Sequence, residues 1–148
     1  MRKVLAILAI VFVLPALGAK PHNATKSADI ELAVGEKGEL TLTSRQGQTV
    51  LIRLAGNATT GYEWTLTGQT DEKGKSCEIL IPVGKIEYKP YPAKGRVGVG
   101  GNFLAMFRAS KPGWAKLRFA YHRPWEKGKK PIQTFEIRLA VLADAMGS

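Results

Sequence analysis

Cysteine and histidine are nearly absent from the 148-residue chain, which holds one cysteine, Cys77, and two histidines, His22 and His122. A single cysteine excludes an internal disulfide, so the fold must be held by packing. Three such residues scattered along the sequence give no metal-ligand spacing. There is no nucleophile elbow, phosphate-binding loop or pair of catalytic carboxylates. No catalytic residue, metal or cofactor is expected. Cys77 opens the apolar run Cys77-Glu78-Ile79-Leu80-Ile81 and reads as a small buried hydrophobe, the alternative being a half-exposed, reactive free thiol.

Long hydrophobic runs are also lacking. The one apolar stretch, residues 4–14, follows Arg2 and Lys3 and precedes Pro15-Ala16-Leu17-Gly18-Ala19. It is too short to span a bilayer, which takes about 20 residues. A basic start, a short apolar segment and small residues after a proline make a secretory signal, cleaved after Gly18 or Ala19. A secreted or periplasmic product without a stable membrane anchor is expected.

Acidic residues are the third scarcity. There are 12 against 22 lysines and arginines, a formal net charge of +10. Without Arg2 and Lys3 the balance is 20 against 12, or +8. The basic residues are scattered along the chain, Lys73, Lys94, Lys116 and Lys130 among them, with no basic helix and no aromatic signature of an RNA reader. Nucleic acid is therefore not an expected partner. The charge reads as a solvated surface that steers toward acidic partners or an anionic envelope.

What is present reads as one domain. Residues 1–19 form the signal, residues 20–28 a polar lead-in, and residues 29–148 a single folding unit large enough to bury its own core. Alternation of period two runs through that unit. Ile30, Leu32 and Val34 share a face, as do Leu40 and Leu42, and then Val50, Ile52 and Leu54. Tyr62, Trp64 and Leu66 follow, then Phe103, Ala105 and Phe107. Leu117, Phe119 and Tyr121, then Phe135, Ile137, Leu139 and Val141, complete the series. Seven or eight short strands with turn residues between them predict an all-β domain, an immunoglobulin-like antiparallel sandwich or barrel. Trp64 and Trp114 fall on these strands and read as structural. A monomer is expected.

Three loops between strands carry unusual residues. Residues 57–64 read N-A-T-T-G-Y-E-W. Asn57 can bond the backbone two or three residues on and Gly61 can take a positive φ, so Thr59 and Thr60 would ride a rigid tip before Tyr62. The second loop, residues 88–101, is rich in proline and glycine and ends in Gly98-Val99-Gly100-Gly101. Absent side chains there allow another backbone to come close. The third contains Arg123-Pro124-Trp125, where a proline presents a tryptophan among charged residues. Exposed tryptophan and arginine are frequent interface anchors. Asn23 and Asn57 both head glycosylation acceptor patterns, and a glycan on Asn57 would oppose a binding role for its loop.

An Asn-x-Thr-Thr-Gly-Tyr loop, a Gly-x-Gly-Gly loop and an Arg-Pro-Trp loop, in that order, resemble the chagasin-like inhibitors of papain-class cysteine peptidases. The family's first loop commonly has proline where this chain has Ala58. The resemblance implies an immunoglobulin-like fold and reversible, tight, non-covalent inhibition. Asn57, Ala58, Thr59, Thr60, Gly61 and Tyr62 would then bring the two threonines into the catalytic cleft. Gly98, Val99, Gly100 and Gly101 would pair by backbone on the non-primed side, and Arg123, Pro124 and Trp125 would pack on the primed side. The competing reading is a secreted sandwich that binds carbohydrate or another protein surface through Trp125 and the same loops.

Overall fold

The computed structural model describes the backbone of residues 30–34 and 39–144, and side-chain burial from residue 41 to 144. The signal segment, the lead-in and Asn23 lie outside the described residues. Among the described residues nine strands follow one another: β1 (Ile30–Val34), β2 (Glu39–Arg45), β3 (Thr49–Gly56), β4 (Glu63–Thr70), β5 (Leu80–Pro82), β6 (Glu87–Pro90), β7 (Gly101–Ala109), β8 (Gly113–His122) and β9 (Gln133–Leu142). A 3-10 turn, Ala58–Thr60, lies between β3 and β4. They form two sheets. The first runs β1-β3-β7-β5, with β6 also on β7, and the second runs β2-β9-β8-β4.

The expected alternation holds where it is longest. Val50, Ile52 and Leu54 of β3 are buried, as are Phe103, Ala105 and Phe107 of β7. Leu117, Phe119 and Tyr121 of β8 meet them with Phe135, Ile137, Leu139 and Val141 of β9. Phe107 and Phe119 touch edge to face with ring centroids 6.2 Å apart. Each large side chain taken fully out of water contributes about 1.5–3 kcal/mol, so this interior stands in place of disulfides.

Two expectations need correction. Most pairings are antiparallel, but β1–β3 and β2–β9 are parallel. β1 reaches β3 only by way of a strand in the other sheet, and β2 and β9 lie far apart in sequence. Neither pair is joined by the hairpin that imposes antiparallel geometry. The strand count also exceeds the seven or eight expected, because β5 and β6 are too short to show alternation. Both pair with the same edge of β7, β5 against Phe107–Ala109 and β6 against Gly101–Leu104. Pro82 and Pro90 are their last residues, and the amide after each still donates to the β7 side, Val83 to Met106 O at 2.8 Å and Tyr91 to Gly100 O at 3.0 Å.

Cys77 is less buried than a core residue. It is half-buried in the connection before β5, against the core, with Sγ 3.7 Å from Gln69 Oε1. Trp64 is buried, as expected. Trp114 lies on the outer face of β8 instead, 40% exposed, with the Arg138 guanidinium 5.8 Å from its ring.

Candidate functional site

Strand register brings the three loops to one end of the sandwich. Gly56, the last residue of β3, pairs with Gly101, the first of β7, and Pro90 of β6 pairs with the same Gly101. Glu63, the first of β4, pairs with His122, the last of β8. The first loop therefore crosses from one sheet to the other, with the second loop beside its start and the third beside its end.

The first loop is a capped 3-10 turn. Asn57 is extended, at φ −136° and ψ 99°, and its Oδ1 accepts from the Thr59 amide at 3.1 Å and the Thr59 hydroxyl at 2.6 Å. The Thr60 hydroxyl donates to Asn57 O at 2.6 Å. Gly61 closes the turn at φ 80°, with its N–H donating to Ala58 O at 3.0 Å. Thr59 and Thr60 are exposed on the tip and both hydroxyls donate within the loop. Ala58 is half-buried against the core.

Beneath this turn stands Tyr121, which sequence reasoning assigned only to the core. Its hydroxyl accepts from the Asn57 amide at 2.8 Å. Its ring stacks on Trp64 at 5.0 Å and lies 5.4 Å from Tyr62. Trp64 in turn donates its indole N–H to Ala55 O at 3.0 Å. A tyrosine on an otherwise apolar strand face was the available signal, because a buried phenol needs a partner. Gly56 makes room for this arrangement, since a Cβ there would lie 2.8 Å from the Phe103 ring and 3.1 Å from the Tyr121 hydroxyl.

The other two loops are fastened to the first. The Asn57 side-chain amide donates to Gly98 O at 3.2 Å, which ties in the second loop. Arg123 Nε donates to Thr60 O at 3.1 Å, which ties in the third. The Arg123 guanidinium also lies 4.4 Å from the centre of the Tyr62 ring and 3.4 Å from a Glu126 oxygen. Residues 123–126 form a turn, with the Glu126 amide donating to Arg123 O at 3.1 Å and Pro124 at the position that suits its fixed φ. Trp125 remains 65% exposed, yet one edge of its indole packs directly on Gly61. Glu126 is held below the ordinary carboxylate range, chiefly by its hydrogen bond to Lys129 and further by Arg123.

The glycines of the second loop divide into two kinds. Gly98 is open to solvent at φ 73°, and Val99 beside it is exposed. Gly100, at φ 70°, would bring a Cβ to 3.2 Å from Gly56 O. Gly101 is buried, and a Cβ on it would strike Lys89 O and the Pro90 backbone. The smallness of Gly100 and Gly101 therefore serves the packing of β6, β7 and the first loop. All thirteen residues singled out in the sequence lie at this end, but Gly101 is inside it, and Tyr62 is half-buried under Arg123. Among the described residues, no three His, Cys, Asp or Glu side chains gather as metal ligands.

Fold and site together define a two-sheet β-sandwich with a cross-braced loop edge. The chain belongs to the chagasin family of peptidase inhibitors, whose model ("Chagasin family peptidase inhibitor I42") matches residues 43–139. It is 30% identical over 107 residues to amoebiasin-1 of Entamoeba histolytica, covering 72% of this chain and 94% of that protein. The structure of Leishmania mexicana ICP is 34% identical, with a TM-score of 0.51, covering 72% of this chain and 91% of that one. The cysteine protease inhibitor EhICP2 from Entamoeba histolytica has the same fold at 24% identity, with a TM-score of 0.53, covering 70% of this chain and 94% of its own. Membership in a family of inhibitors agrees with the sequence expectation that the protein is not an enzyme.

Proposed function

We propose that the protein is an exported, reversible and tight-binding inhibitor of papain-class cysteine peptidases, and that its three loops fill the substrate cleft without covalent chemistry. The observation that carries this reading is the bracing of the loops into one edge. Asn57 holds Gly98, Arg123 holds Thr60, and Trp125 packs on Gly61. An edge already ordered loses little conformational freedom on docking, and the affinity is correspondingly higher. Thr59 and Thr60 would enter the cleft, the segment around Gly98 and Val99 would lie on the non-primed side, and Trp125 would pack on the primed side. Filling the cleft is sufficient for inhibition because substrate has no access. Support for the target class comes from the motif resemblance and from EhICP2, itself a cysteine protease inhibitor. Residues 1–19 would direct export and be removed.

The test is a titration of residues 20–148 against a papain-class peptidase. Inhibition is expected to be competitive with substrate, to reverse on dilution and to leave the inhibitor intact on a gel. Trp125→Ala is expected to cost about 2 kcal/mol, a rise in Ki of roughly thirtyfold. Cleavage between Thr59 and Thr60, or inhibition insensitive to substrate concentration, would rule the mechanism out.

A further inference from the structure

Basic side chains flank the loop edge on both sides. On one side the second loop is a short hairpin. The Tyr91 amide donates to Gly100 O at 3.0 Å and the Arg96 amide to Ala93 O at 2.8 Å. Its tip is Lys94-Gly95, with φ angles of 41° and 82°, the successive positive values that a type I′ turn requires. Among the described residues Lys94 is the one non-glycine with a positive φ. Asparagine or glycine takes that conformation with less strain. A lysine at this position is thus unfavourable for the turn itself, and its charge is what it adds. Arg96 is exposed next to it, followed by Val97, which is 99% exposed.

On the other side the third loop carries Lys127, Lys129 and Lys130. It borders a pocket of about 170 Å³ lined in part by His122, Arg123, Lys129 and Lys130. Glu126 also lines it but is already paired, 3.4 Å from Arg123 Nη1 and 3.2 Å from Lys129 Nζ. The other carboxylates near this end are Glu63, at the start of β4, and Glu87, at the far end of β6 from the hairpin. Positive charge predominates on both shoulders.

Given the inhibitory reading above, we propose that Lys94 and Arg96 on one shoulder and Lys130 on the other steer the loop edge onto peptidases whose cleft rims carry carboxylates. Exposed cations act over about 8–10 Å at physiological ionic strength, so they bias the encounter more than the docked contact. Complementary fields of this kind raise association rates by about 10–1,000-fold. The hairpin and the third loop would meet opposite rims while the three-loop edge enters between them.

Association and dissociation rates should be measured by stopped flow against two papain-class peptidases, one acidic around its cleft and one basic, at about 0.05 and 0.5 M salt. The triple variant Lys94→Asn, Arg96→Gln, Lys130→Gln is compared with a charge-matched control, Lys73→Gln, Lys75→Gln, Lys111→Gln, whose sites lie at the other end of the sandwich. With the acidic enzyme at low salt, the first triple is expected to associate about tenfold more slowly, with kd changed by less than about threefold. The loss should shrink at high salt and be absent with the basic enzyme, and the control should associate like wild type. Lys94→Asn alone should melt no lower than wild type. Equal slowing by both triples would assign the effect to net charge, and an unchanged rate or a loss confined to dissociation would equally overturn the proposal. Wild type that binds neither enzyme would overturn the inhibitory reading first.

Discussion

At Gly61 the local backbone and a distant side chain impose the same residue. Its φ of 80° is one that L side chains rarely adopt, and a Cβ there would enter the Trp125 ring. Gly61→Ala is expected to destabilise the fold by about 1–2 kcal/mol through strain alone. It should also push Trp125 off the first loop, visible as a change in tryptophan fluorescence, and weaken inhibition. Gly98→Ala is a natural control, since Gly98 also has a positive φ but nothing within 4 Å of the added atom. If both variants retain the tryptophan signal of wild type, the contact of Trp125 with Gly61 is not holding the third loop. The turn-forming role of Gly61 was legible from its place after Asn57 and two threonines. Its second role was not, because that depends on where the third loop packs.

The first loop, as an element, depends on its own first residue and on β8 below it. Ala58 starts a 3-10 turn behind an extended cap, a position where the amide has no partner within the turn and where proline is favoured. Ala58→Pro is expected to add about 0.4–1 kcal/mol of stability, raise Tm and slow dissociation from a target peptidase. A lower Tm would mean that the core packing around Ala58 does not admit the ring. Tyr121→Phe tests the support from below. It keeps the stacking on Trp64 but leaves the Asn57 amide without its 2.8 Å acceptor, at a cost of about 1–2 kcal/mol. Denaturant unfolding should show that loss, and hydrogen exchange should show faster opening at Asn57. Unchanged protection there would mean that the loop holds its shape without Tyr121.

For the molecule as a whole, one exposed ion cluster links stability to pH. Burial alone would raise the Glu136 carboxyl, but hydrogen bonds and charges from Lys116 and Arg118, at 3.3 and 3.1 Å, outweigh it and hold it below its ordinary 4.5. A carboxyl depressed by folding adds stability that is fully present above its unfolded value and disappears as pH falls through the folded one. Tm should therefore drop on the acid side of about pH 4.5, and less steeply in Glu136→Gln than in wild type. The cluster is solvent-exposed, so the difference should be small and should shrink further with salt. Parallel acid limbs for the two proteins would show that other groups set the acid dependence.

Period-two alternation by itself determined that the described domain is all-β and which residues of the long strands β3, β7, β8 and β9 face inward, because side-chain direction alternates with every residue of a strand. Local chemistry likewise determined the cap by Asn57, the turn at Gly61 and the exposure of Trp125. Tertiary structure decided what no local pattern encodes. The parallel β1–β3 and β2–β9 pairings depend on which sheet each strand joins. Tyr121 became the post under the first loop, and Arg123 its clasp on Thr60, through register between strands. Gly100 and Gly101 proved to serve close packing of the inhibitor's own backbone, since a glycine's sequence context does not say whose atoms will come near it.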